Sequence, residues 1–192
     1  MNNPYCPTSL RECFSFDESA LNPTPKGAWR KLLTLSLDSR YSMTTLMRLS
    51  QYFYVRATSR RGLSKRVYSV LASYLRRKNA IVNHFEHGAN PAIARGVVFH
   101  HPGVCITSDT VIETGVHIYR NVTFGGKDGG APHIRNHAKI ASHAIVVGPV
   151  IVGERSIVGA GAVVVEDVPD GKIVAGVPAK IIGDVTETNY AF

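Results

Sequence analysis

A parallel β-helix of hexapeptides behind a helical segment is the fold class that the 192-residue sequence predicts, and three observations carry it. Aliphatic or equivalently placed residues recur every six positions at Ile93, Phe99, Cys105, Val111, His117 and Thr123, then again at Ile134, Ile140, Val146, Val152, Val158 and Val164. A second column lies four places after each, and small residues dominate its later part: Ala138, Ala144, Val150, Ser156, Ala162 and Val168. The beat then breaks at Pro169 and Pro178, with Gly171 and Gly176 free to reverse the chain, which marks a terminal cap over Gly171 to Ile182. A period of six matches neither the 3.6 of a helix nor the 2 of a plain strand. It fits a solenoid in which each hexad is one short strand and one corner, and three hexads close a triangular coil. Stacking the coils buries the first column and pairs backbone groups from coil to coil.

Residues 1–85 read as a mainly helical segment and residues 86–192 as the prism with its cap. From Lys26 to about Phe85 the apolar residues fall in three runs, Leu32 to Leu37, Leu46 to Phe53, and Val67 to Leu75. Their helical spacing predicts two or three helices. Pro23 and Pro25 stand before the first, and Ser59 to Gly62 marks a turn before the last. One interruption breaks the hexad beat. Thr123 to Ile134 is eleven residues where six are due, so five residues leave the coil as a loop between Gly125 and His133.

Charge is divided unequally along the chain. Residues 1–90 hold fourteen Lys and Arg against five Asp and Glu, a balance of +9, and residues 91–192 hold eight against nine, a balance of −1. A basic helical face is either a solvated packing element or an attractor for an anionic partner, such as an acidic polysaccharide or a membrane surface. No nucleic-acid-binding motif accompanies the charge, and nucleic acid is set aside. Three cysteines, Cys6, Cys13 and Cys105, are too few for a disulfide framework, and Cys105 takes an inward place in the beat. No apolar run is long enough to span a bilayer, and the start MNNPYCPTSLRE lacks the pattern of a secretory signal. The expected location is the cytoplasm, with the inner membrane face as the place the basic helices would favour.

Four stretches sharpen this: ARGVVFHHPGVCI at Ala94 to Ile106, NVTFGGK at Asn121 to Lys127, IVGAGAVVVEDVP at Ile157 to Pro169, and AGVPAKIIG at Ala175 to Gly183. With them the chain resembles the hexapeptide acyltransferases, over about residues 86 to 183. Within that family it looks most like the serine acetyltransferase branch, which includes bacterial capsule and exopolysaccharide O-acetyltransferases. The resemblance implies a left-handed β-helix, acetyl-CoA as donor, a homotrimer and no metal.

Acetyl transfer from a thioester to an alcohol needs a base for the hydroxyl proton, donors for the oxyanion, and a groove for the long donor. His101 is the candidate base, on an outward position beside Pro102 and Gly103, where the backbone leaves room for substrate. The family places an acidic residue fifteen positions before that histidine, and here the position is Glu86, whose carboxylate would fix the imidazole. The resemblance also assigns acetyl-CoA binding to Gly125, Gly126, Ser142 and Ala160, with Lys180 as a point charge near the nucleotide end. On the acceptor side stand the loop residues His133 and Lys127.

Aligning Pro132 with the family's loop proline puts Ala131, and not His133, in the place of the loop histidine. The loop GGKDGGAPHI is also shorter than in serine-specific enzymes, and so is the helical segment ahead of the prism. These departures point to a bulkier acceptor, a sugar hydroxyl of a capsular polysaccharide or exopolysaccharide or of its precursor. Serine O-acetyltransferase is the alternative with the same donor and mechanism. A γ-carbonic anhydrase-like zinc enzyme is a second alternative, since His100, His101, His117, His133, His137 and His143 are plentiful. His117 on an inward position and the absence of a family-like ligand arrangement weigh against it.

Overall fold

The computed structural model describes residues 7, 9–15, 38–89 and 91–190. Among the described residues three helices come first: α1 (Leu10–Ser15), α2 (Ser39–Thr58) and α3 (Gly62–Asn83). The predicted run Leu32 to Leu37 and both prolines before it lie outside the described residues. Asp38 starts α2, its carboxylate accepting the Arg40 backbone N–H at 2.9 Å. His84 ends α3 in the left-handed region, at φ 49°.

Fifteen short strands then wind into a prism. Face A stacks β1 (Glu86–His87), β4 (Cys105–Ile106), β7 (Thr123–Gly125), β10 (Ile145–Val147) and β13 (Val163–Val164). Face B stacks β2 (Ala92–Ile93), β5 (Val111–Ile112), β8 (His133–Ile134) and β11 (Ile151–Val152). Face C stacks β3 (Val98–Phe99), β6 (His117–Ile118), β9 (Lys139–Ile140), β12 (Ile157–Val158), β14 (Lys172–Ala175) and β15 (Lys180–Asp184). All pairs are parallel except β14 with β15, whose antiparallel turn closes the top.

The inward column differs from the predicted one over part of its length. Ile93 and Phe99 are followed by Ile106, Ile112, Ile118 and Phe124, all fully buried, while Cys105, Val111, His117 and Thr123 are half-buried on the outside. The step from Phe99 to Ile106 is seven residues, because the corner at His101 to Val104 holds one residue more than the others. Coil registers show the same thing: Glu86 pairs with Cys105, nineteen residues on, whereas Cys105 pairs with Thr123, eighteen on. The beat hid this shift because each predicted residue has a neighbour that fills the same column equally well. The later loop therefore contains four extra residues and not five, with Val111 opposite His133.

A solenoid's first coil exposes backbone groups that have no coil beneath them. Here α2 covers them. Arg48, 1% exposed, donates to the carbonyls of Ile93 at 2.7 Å and Ala94 at 2.8 Å, while the Gln51 amide donates to the Pro91 carbonyl at 2.9 Å. Met43 and Met47 extend the prism's core downward. One of the cations behind the +9 is thus a buried structural cap and unavailable to a partner. His87 takes the inward place of the first coil on face A, opposite Ile106. Its Nδ1–H donates to the Gly88 carbonyl at 2.7 Å, and Nε2 lies 3.2 Å from the Ser50 hydroxyl.

Burial, then the charges of Arg76 and Arg48, outweigh the Gly88 bond and press the His87 pKa down to about 4 from its ordinary 6.5. The unfolded chain binds a proton that the folded chain refuses, so this contribution is full above pH 6.5 and drains as pH falls toward 4. The urea midpoint should fall on acidification through that window, and His87→Gln should lessen the fall.

Candidate active site

His101 is exposed on the edge where face C turns into face A. The extra residue of the first coil sits in this same corner, and Gly103, at φ 90°, makes the turn. A Cβ on Gly103 would lie 2.0 Å from the Asn121 side-chain oxygen, so only glycine fits without displacing the next coil's corner. The ladder on face C, Val98 to His117 to Lys139 to Ile157, carries the corner upward, so that His101, Arg120, Ser142 and Ala160 stand one above another. Backbone bonds hold the column: His143 N–H to the Arg120 carbonyl at 2.8 Å, and Gly161 N–H to the Ser142 carbonyl at 3.0 Å. From His101 to Ala160 is three coils, about 14 Å at the usual spacing of paired strands. The upper part is open, since a Cβ on Gly161 would meet nothing within 4 Å.

Glu86 is exposed and lies directly beneath Cys105, on the face A side of the His101 corner. Burial, then the Glu86 charge, pushes the Cys105 thiol pKa up, which makes this cysteine a poor thiolate and a bland outward residue. Among the described residues no hydrogen bond or ion pair joins Glu86 to His101. Beside the base, His100 Nε2 lies 2.9 Å from His117 Nδ1, and the His100 ring stacks on Tyr119 at 4.3 Å. Burial first, then His117, His101, Arg40 and Lys139, lower the His100 pKa to about 4, and burial with Lys139 and His137 lowers that of His117. His117 faces outward beside His100, with the buried Ile118 next to it in the inward column. Among the described residues no three His, Cys, Asp or Glu side chains gather as a metal site.

The remaining candidates sit elsewhere on the chain. Gly125 ends β7, at the far end of face A from His101, with its carbonyl accepting Gly148 N–H at 3.0 Å. Gly126 opens the loop, whose tip is a tight hairpin: Lys127 and Gly130 exchange both backbone bonds, and Asp128 and Gly129 have φ 52° and 78°. Positive φ at both central residues is what a type I′ turn requires, and the Asp-Gly pair is its sequence signal. The Lys127 ammonium is exposed, 3.8 Å from Asp128. His133 begins β8 on face B, where Nε2 meets Glu113 at 2.7 Å and the other Glu113 oxygen accepts Asn136 N–H at 3.0 Å. Lys180 is near the top, 3.2 Å from Glu166. One chain thus gathers His101, Ser142 and Ala160 along an edge, and leaves His133 and Lys127 away from it.

The fold matches that of a solved serine acetyltransferase in complex with CoA, at a TM-score of 0.73 and 25% identity over 91% of this chain and 70% of the other. The chain shares the parallel β-helix fold of that structure. In sequence, this β-helix chain is 38% identical over 120 residues to the serine acetyltransferase of Escherichia coli K12, covering 59% of itself and 43% of that relative. It is 36% identical over 129 residues to the Haemophilus influenzae serine acetyltransferase, covering 64% of itself and 48% of that relative. The chain spans less than half the length of these two relatives. No family model matches it.

Proposed function

We propose that this chain is an acetyl-CoA-dependent O-acetyltransferase and that its acceptor is serine. The observation that carries the proposal is the fit of 91% of the chain to a serine acetyltransferase bound to CoA, with an exposed histidine on a prism edge that carries Arg120, then the small Ser142 and Ala160, above it. In this reading His101 takes the serine hydroxyl proton as the oxygen attacks the thioester carbonyl. Glu86, beneath the same corner, steadies the imidazolium. Collapse of the tetrahedral adduct breaks the C–S bond, and the imidazolium returns its proton to the departing CoA sulfur. The narrow donor arm lies along Ser142 and Ala160, and Lys180 serves the nucleotide end.

His133 and Lys127 reach such a site only from a second prism, so this reading requires an assembly of prisms, and the homotrimer implied by the resemblance is the one proposed. The sugar acceptor expected from the short loop and the basic helices gives way to serine. Both curated relatives compared above are serine acetyltransferases, and Arg48 shows that not all of the basic charge is surface charge. Release of free CoA thiol, followed with serine and with a panel of neutral and acidic oligosaccharides, separates the acceptors. Turnover on serine with none on the glycans is the expected outcome, and turnover on a glycan alone would restore the sugar reading.

A further inference from the structure

Helix α3 buries only Ala72, Asn79 and Asn83, and its opposite face is bare. That face carries Leu63 (77% exposed), Val67, Val70, Tyr74 (61%), Ile81 (66%) and Val82. The spacing of four, three and four residues keeps Leu63, Val67, Val70 and Tyr74 on one stripe, and Ile81 continues it. The stripe is about 27 Å long at 1.5 Å per residue. The valines of the predicted run, Val67 and Val70, therefore point away from the other described residues, and α3 packs on α2 through Ala72, Asn79, Asn83 and the Tyr68 ring stacked on Phe53.

The charge around the stripe selects its occupant. Between Asp38 and Glu86 the sequence holds ten Lys and Arg and no Asp or Glu. Arg66, Arg77 and Lys78 are exposed along the stripe, and Arg60 and Arg61 precede the helix. Pairing of α3 with the α3 of a second copy is disfavoured, because a centred antiparallel pair sets Arg66 against Lys78 of the other copy with no acid to relieve it. A hydrated polyanion would satisfy the cations and leave the six apolar side chains in water. An anionic bilayer surface satisfies both, with the apolar stripe sunk to the level of the acyl chains and the cations among the headgroups. No helix among the described residues is long and apolar enough to cross a membrane, so the helix lies on the surface.

We propose that α3 docks this protein on anionic lipid surfaces through its Leu63–Ile81 stripe and the flanking cations. The proposal is independent of which hydroxyl is acetylated. The test is co-sedimentation of the full chain with vesicles of phosphatidylcholine alone and of equimolar phosphatidylcholine and phosphatidylglycerol. Wild type should pellet with the mixed vesicles and stay in solution with phosphatidylcholine alone. Arg66→Gln, Arg77→Gln and Lys78→Gln together should weaken partition roughly a hundredfold, at about fivefold per surface cation. Val67→Ser, Tyr74→Ser and Ile81→Ser together should abolish it. All six side chains are exposed, so circular dichroism and acetyl transfer in solution should match wild type. The proposal is overturned if wild type ignores the mixed vesicles at low salt. It is equally overturned if the serine variant still pellets, which leaves a charge-only contact, or if that variant's main effect is a smaller oligomer by light scattering, which makes the stripe an interface between copies.

Discussion

His101→Ala should lower the rate of acetyl transfer by roughly 10²–10⁴-fold, the usual contribution of a positioned general base. The side chain is exposed at a corner and its removal opens no cavity, so the thermal midpoint should stay at the wild-type value. Affinity for CoA should also stay, because the column above the base, Arg120, Ser142 and Ala160, is untouched. Steady-state rates with a CoA-binding isotherm check both halves. Glu86→Gln should cost less than the loss of His101, since the imidazole remains and no bond in the free chain joins the two.

The second large effect is on stability. Arg48→Met keeps the apolar stem and removes the guanidinium that serves the Ile93 and Ala94 carbonyls. Each buried acceptor left unpaired costs about 1–3 kcal/mol, partly offset because a buried cation is no longer desolvated. A net loss of about 3 kcal/mol is expected, read as a lower urea midpoint with CoA affinity preserved in the folded fraction. A neutral result would mean that water can replace the guanidinium beneath the first coil. Gln51→Leu removes the donor to the Pro91 carbonyl and the Oε1 that accepts an Arg48 N–H at 3.2 Å, and it should cost about half as much because the Arg48 bonds to Ile93 and Ala94 remain.

The prism was legible because a six-residue period has no competing local explanation, and Ile134 to Val164 follow the predicted column residue for residue. The register between Cys105 and Thr123 was not legible. Adjacent residues such as Val111 and Ile112, or Thr123 and Phe124, satisfy the same pattern, and the additional corner residue beside His101 leaves no hydrophobic mark. The cap under the first coil was hidden for a different reason. An arginine in a basic helix looks like surface charge until the backbone carbonyls it serves are placed against it.

The edge candidates His101, Ser142 and Ala160 were separated by tens of residues in sequence and come into one column only through coil stacking. The Asp128-Gly129 pair is a two-residue hairpin signal, which the reading of this segment as a plain loop passed over. His87 carried no such signal, because an inward histidine reads like any polar residue until its coil position is known.

The most direct measurement is product identification by proton NMR after acetyl-CoA and L-serine are incubated with wild type and, in parallel, with His101→Ala. The account predicts O-acetylserine and free CoA in equal amounts with wild type, and formation slower by at least about a hundredfold with the variant. O-acetylserine formed equally fast by both proteins, or none formed by wild type while the same preparation acetylates a sugar hydroxyl, would contradict it.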